Sequence, residues 1–141
     1  MPEFTLDDRL AQDGHYITDL PLCQLRLMKD ARFPWLVLIP RRAGITEVSE
    51  LNEVDQRQLW HEATRAGELL SACLSGDKLN IATLGNVVAQ LHLHVILRRH
   101  DDAAWPAPVW GHGEAVPYDD AQQAELGATL RNAAESMEWA V

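Results

Sequence analysis

The sequence predicts an α+β fold: an antiparallel sheet of about five strands carrying one long helix and a C-terminal helix. Three observations lead there. Runs of strand length stand at 23–28, 35–39, 78–84 and 88–97, and a further strand is expected after Gly14. The runs fall into neighbouring pairs joined by short connections, as antiparallel strands do. Between the pairs, residues 53–72 repeat their apolar positions at three and four, the period of a helix buried along one side.

Composition sets the outer bounds. A chain of 141 residues buries one sizeable core and seldom divides, so residues 1–141 read as one domain. With 47% apolar and 23% charged residues, the composition excludes a disordered or fibrous chain. Twelve basic against 21 acidic side chains leave a formal charge of −9, a field that repels polyanions. Nucleic acid is therefore not an expected partner, whereas one phosphate held by a few aimed donors is compatible with that charge. The stretch 1–8 is acidic and has no basic segment followed by an apolar one, and no run approaches membrane-spanning length. A cytoplasmic location without membrane contact is the expectation. Cys23 and Cys73 are too few for a disulfide framework and lie in apolar periodic segments, which suits reduced core residues.

Taken in order, Phe4, Leu6, Leu10 and Ala11 are spaced as one face of a short helix that Gly14 ends. Leu22, Leu25 and Leu27 belong to a β-compatible run that stops at 29–34; the apolar run 35–39 then resumes as its hairpin partner and ends at Pro40. The long helix carries Val54, Leu59, Ala63, Ala66, Leu69, Leu70 and Cys73 on its inner face, with Gly76 as its stop. Residues 78–84 read as a strand, Gly85-Asn86 as a turn and 88–97 as the next strand. Pro106, Pro108 and Pro117 make the stretch 98–117 a packed loop. Asp119 caps a last helix running to about residue 138, whose inner stripe is Leu126, Leu130, Ala133, Ala134 and Met137.

One segment carries chemistry. In Gln90-Leu91-His92-Leu93-His94-Val95-Ile96 a period of two turns Leu91, Leu93 and Val95 one way and Gln90, His92 and His94 the other. A polar, solvated strand face is the plain alternative, but such faces favour Thr, Lys, Glu or Arg; histidine brings ring nitrogens and a near-neutral pKa. Two histidines at i and i+2 also suit a Zn²⁺ ion if a third ligand arrives, yet neither His100 nor His112 forms a zinc spacing with them.

These residues resemble the histidine triad (HIT) family, marked by His-φ-His-φ-His-φ-φ (φ apolar) after an asparagine-bearing strand and a Gly-Gln turn. Asn80, Gly85-Asn86 and the segment from Gln90 to Ile96 follow that order, about one residue shorter between the asparagine and the turn. Trp35-Leu36-Val37-Leu38-Ile39-Pro40-Arg41-Arg42 looks like the family's apolar strand ending in Ile-Pro-Lys. The likeness covers roughly residues 15–115. It departs at Gln90, in the place of the first triad histidine; at Ala43, near which many members carry a further histidine; and at Asn86 and Val87 in the turn. The tail from Arg99 to Gly111 is similar to a proteobacterial HIT-like subgroup.

The resemblance implies a HIT-like fold and His92 as a nucleophile toward the α-phosphate of a nucleotide, through a nucleotidyl-histidine that water hydrolyses. Phosphoramidates and dinucleoside polyphosphates are the implied substrates; a nucleotide-binding module with little or no turnover is the alternative. It further implies His94, Asn80 and the Gly85-Asn86 turn as phosphate donors, Gln90 as a hydrogen-bonding group that carries no proton, no cofactor or metal, and a homodimer. Asp30 reads either as a ribose ligand, as acidic residues there are in similar proteins, or as a plain turn aspartate. Trp105 and Trp110 close over the nucleotide, meet a second subunit or anchor the loop. Arg98 shares the histidine face by period and, with Arg99, continues the strand toward solvent. His15, His61, His100 and His112 have no assigned part.

Overall fold

The computed structural model describes residues 3–141; Met1 and Pro2, the start of the stretch read above for a leader, lie outside them. The order is α1 (Asp8–Asp13), β1 (Gly14–Asp19), β2 (Cys23–Met28), β3 (Trp35–Pro40), a 3-10 turn (Val48–Glu50), α2 (Glu53–Cys73), β4 (Lys78–Thr83), β5 (Leu93–Arg98) and α3 (Asp120–Glu135). The five strands make one sheet in the order β1-β2-β3-β5-β4, antiparallel throughout. The α+β class and the strand count agree with the sequence reading.

Register explains why the central strands β3 and β5 are buried at every residue. On one face Leu25 pairs with Leu38, and Leu36 with Val95, beneath Leu59, Ala63 and Ala66 of α2 and Leu130 of α3. Each such leucine contributes about 1.5–3 kcal/mol by leaving water. On the opposite face Trp35, Val37, Ile39 and Ile96 meet Leu10, Phe33, Ala104 and Val109, contributed by α1 and the loops. A sheet covered on both sides hides its polar residues as well, and His94 pairs with Val37 on the loop-covered face.

Several boundaries differ from expectation. Phe4 and Leu6 precede α1, because Asp7 accepts from the Arg9 amide at 2.8 Å and starts the helix after itself. Val54, expected inside, is 70% exposed on the first turn of α2. Gly76 does not cap that helix, which ends on the extended Leu74; its role is a close approach, since a Cβ there would lie 2.3 Å from Cγ of Leu97. β5 begins at Leu93 rather than at residue 88, because the Leu91 amide donates to the carbonyl of Ile45 at 2.9 Å and the β4 ladder starts only at Thr83–Leu93. α3 stops at Glu135, with Asp119 and Gln122 forming a capping box at its start. Cys23 is buried as expected and Cys73 half-buried, both as free thiols.

The loop that follows β5 is organised by Arg98, which is fully buried rather than solvated. Its guanidinium makes two bonds to Asp102, at 2.7 and 2.9 Å, and further bonds to Oδ1 of Asn80 and the carbonyl of Ala107. It also lies over the rings of Phe33 and Trp105. Pairing with Arg98, ahead of the burial that opposes it, holds the Asp102 carboxyl far below the ordinary carboxylate range.

Candidate active site

His94 sits in β5 and His92 just before it, their rings 4.9 Å apart and edge to face. Both residues are buried. Each ring has its protons assigned by a partner. Nδ1 of His92 lies 2.6 Å from the Gln90 carbonyl, an acceptor only, so Nδ1 carries the proton and Nε2 keeps its lone pair. Nδ1 of His94 accepts from Nε1 of Trp35 at 2.9 Å; an indole N–H only donates, so a neutral His94 carries its proton on Nε2. Burial first, and then the proximity of His92, push the His94 pKa down to about 3. Side by side, one ring presents a lone pair and the other an N–H.

Both rings line a cavity of about 220 Å³ whose walls are mainly apolar: Leu10, Met28, Val37, Leu84, Val88 and Trp110. Asn86 also lines it, as do Arg9 and Asp13 of α1, which pair at 3.9 Å on exposed side chains. Trp110 meets His94 edge-on at 5.1 Å and Trp35 at 6.1 Å, and among the described residues its Nε1 is the buried side-chain nitrogen left without a partner. Among the described residues, no cluster of three or more His, Cys, Asp or Glu has the arrangement to hold a metal.

The expected site residues divide. His92, His94 and Asn86 reach the cavity, with Gly85 in the adjoining turn, where a Cβ would come within 3.2 Å of the Val88 carbonyl. Gln90 does not join them through its side chain. Its carboxamide accepts from the Asp7 amide at 2.8 Å and donates to the Thr5 carbonyl at 2.9 Å, because residue 90 precedes β5 and the two-residue period does not reach it. Its main-chain carbonyl is the part that meets His92.

Asn80 is also elsewhere, in the edge strand, accepting from Nη1 of Arg98 at 3.0 Å. Asp30 is buried outside the cavity, gripped by Arg32 at 2.8 and 3.0 Å and by the amide of Val116 at 3.3 Å. Burial raises its pKa, but these bonds outweigh that and leave it lowered. These bonds tie the Asp30 carboxylate into the turn that follows β2. Ala43 borders a different cavity, with Arg42 and Asn52. The two tryptophans separate: Trp105 packs against His100 within the loop, their tilted rings 4.8 Å apart, while Trp110 walls the site.

Sequence reasoning missed Trp35 as a site residue. It read as one more apolar residue of a buried strand, and only the pairing of β3 with β5 brings its indole to His94. Leu10 and Met28 were likewise legible as apolar residues but not as cavity walls.

The family model described as HIT domain matches residues 9–101, which span α1 through β5 and both histidines. The chain belongs to the HIT family. Solved structures similar to this HIT protein include a histidine triad protein of Marinobacter aquaeolei, 43% identical over 97% of this chain and 100% of that one, with a TM-score of 0.92. One of Bradyrhizobium japonicum is 45% identical over 94% of this chain and 98% of that one, with a TM-score of 0.90. One of Sinorhizobium meliloti is 47% identical over 92% of this chain and 96% of that one, with a TM-score of 0.89. None of the curated proteins matches the sequence. In this HIT protein the family match stops at residue 101, so Trp110 is a cavity wall from outside the matched span.

Proposed function

We propose that this HIT protein is a nucleotide hydrolase or nucleotidyl transferase that attacks the α-phosphate of a nucleotide with His92 and passes through a nucleotidyl-His92 intermediate. HIT proteins bind nucleotides, which supplies the ligand class. The observation that carries the reading is the opposed pair of tautomers at His92 and His94. A nucleophile needs a free lone pair, and Nε2 of His92 keeps one because its only proton faces the Gln90 carbonyl. A phosphoryl oxygen gathering charge needs a fixed donor, and the Nε2–H of His94 is one that burial keeps neutral.

In this reading Asn86 and the turn at Gly85 add donors at the same cavity, and Gln90 acts through its main chain. Asn80 and Asp30 act at a distance, by holding Arg98 and Arg32 in the surrounding loops. The charge of −9 suits a small phosphorylated ligand better than a polynucleotide. Two copies are proposed to pair along β4, the sheet edge that carries half-buried Asn80 and Ile81 and continues to the exposed Leu84 and Val87. Among the described residues no helix is long and apolar enough to cross a membrane, and the cytoplasm is the proposed location.

A second reading, a nucleotide-binding module with little or no turnover, draws on one observation: the Gln90 carboxamide is tied to residues 5 and 7 and offers the cavity no proton carrier. One experiment separates them. Wild-type protein mixed with diadenosine triphosphate is expected to release AMP and to show, by intact mass, an adenylyl adduct that His92→Ala abolishes. Calorimetric binding of AMP without product or adduct gives the second reading instead. Unchanged turnover in His92→Ala removes His92 as the nucleophile.

A further inference from the structure

Trp110 is half-buried at the wall of the histidine cavity, yet its indole N–H is sealed from solvent and has no partner among the described residues. Two other interior indoles are satisfied: Nε1 of Trp35 donates to His94 at 2.9 Å and Nε1 of Trp139 to the Ala134 carbonyl at 2.9 Å. An unpaired buried donor costs stability, so the conformation that leaves Trp110 without an acceptor is one the chain gains from leaving. The cavity also falls short of the ligand proposed for it. Its volume of about 220 Å³ is below the ~300–1,000 Å³ of pockets that enclose small organic ligands, so a nucleotide seats fully only if a wall gives way. Val37 belongs to the central strand β3 and Leu10 is buried in α1, whereas Trp110 stands in the loop after β5. That loop is clamped on either side of it, by Arg98 on the Ala107 carbonyl at 2.9 Å and by Arg32 on the His112 carbonyl at 2.6 Å. Between the clamps Gly111 takes a φ of +75°, and a Cβ there would meet nothing within 4 Å. Glycine stands beside Trp110 for backbone freedom rather than for packing, which lets the indole move while both clamps hold.

From these observations we infer that Trp110 is a ligand-gated wall: its indole turns aside as a nucleotide enters, and the N–H left unpaired in the free protein then donates to an oxygen of the nucleotide's phosphate. The inference rests on the reading that a nucleotide binds in this cavity, and it adds a binding residue from beyond the span that the family model matches. The acceptor follows from position and charge. The Trp110 ring meets His94 edge-on, centroids 5.1 Å apart, so a donor released there comes within reach of the oxygens that the Nε2–H of His94 serves. A phosphate oxygen is charged, and charge-assisted hydrogen bonds are the strong ones. Because the unpaired N–H weighs on the closed form alone, pairing it in the complex gives the ligand the difference in affinity that a shift between two conformations requires.

The test uses the full chain, with AMP and adenosine as probes. Indole and imidazole ¹⁵N–¹H spectra are recorded for the wild type and for Trp110→Phe, whose missing signal identifies the Trp110 Nε1–H. On saturation with AMP that signal is expected to move downfield as its hydrogen bond forms, while the Trp139 Nε1–H, already bonded to Ala134, stays in place. By calorimetry Trp110→Phe is expected to bind AMP about 10- to 100-fold more weakly, the range for a hydrogen bond to a charged acceptor. Adenosine, which has no phosphate, is expected to bind both proteins alike. Imidazole signals of His92 and His94 that shift with AMP while the Trp110 indole does not overturn the inference and leave the nucleotide reading intact. Wild-type AMP affinity in Trp110→Phe, or an equal loss for adenosine, does the same. AMP that shifts none of these signals overturns both. If Trp110→Phe does not fold, the wild-type spectra, assigned through the backbone, decide alone.

Discussion

Trp35 donates its indole N–H to Nδ1 of His94 at 2.9 Å, joining the second strand of the β2–β3 hairpin to β5, the strand that carries His94. Both residues are buried, so the bond fixes a tautomer that solvent would otherwise leave mixed. Trp35→Phe keeps an aromatic ring but leaves the His94 nitrogen without its donor. The expected cost is about 1–3 kcal/mol in urea unfolding, the range for a buried acceptor deprived of its partner. Imidazole ¹⁵N spectra at pH 7 are expected to show only the Nε2–H form of His94 in the wild type and a mixture in the variant. A single unchanged tautomer in a folded variant would remove Trp35 from that role.

His94 also makes stability depend on pH. Its folded pKa is about 3 against an ordinary 6.5, so between those values the unfolded chain binds more protons than the folded one. Stability therefore rises with pH through that window and falls on acidification from 6.5 toward 3. The expected loss is on the order of a few kcal/mol. Denaturant titrations at pH 7 and 4.5 measure it, and His94→Gln is expected to shrink the difference.

The Arg98–Asp102 pair has almost no contact with water on either side chain, 1% and 6% exposed. Asp102→Asn leaves a buried guanidinium short of its counter-charge, a change that costs about 3–5 kcal/mol. The loop between β5 and α3, which carries Trp110 to the cavity, is expected to lose amide-exchange protection first. Exchange that is unchanged there, with only a global loss of stability, would separate the pair from Trp110.

Gln90 is predicted to serve the fold more than the chemistry. Gln90→Ala removes the two bonds to residues 5 and 7 but keeps the carbonyl that orients His92. A stability loss of about 1 kcal/mol is expected. Adduct formation on His92 is expected to fall by less than about tenfold, since the tautomer survives. A loss as large as that of His92→Ala would put the carboxamide into the chemistry.

Gly76→Ala tests the packing between α2 and β5. Its new methyl group would meet Leu97, whose side chain is buried and has little room to move, at 2.3–2.9 Å. Overpacking of this kind costs about 1–3 kcal/mol, readable as a lowered unfolding midpoint.

By itself the sequence determined that there are five strands and one long helix, and most of that helix's inner face, because periodic burial writes itself into the spacing of apolar residues. It also marked the two imidazoles and the Asn86 that line one cavity, since those residues stand within a few positions of one another. Tertiary structure alone decided what the rings can do. The donor to His94 comes from position 35, the apolar walls from 10 and 28, and the edge-on indole from 110, all brought together by strand pairing and loop docking over distances that local periodicity does not encode. It also decided against Gln90, Asn80 and Asp30 as cavity residues. Each found a nearer partner, and a polar group takes the hydrogen bond that the completed fold offers it rather than the one its place in a motif suggests.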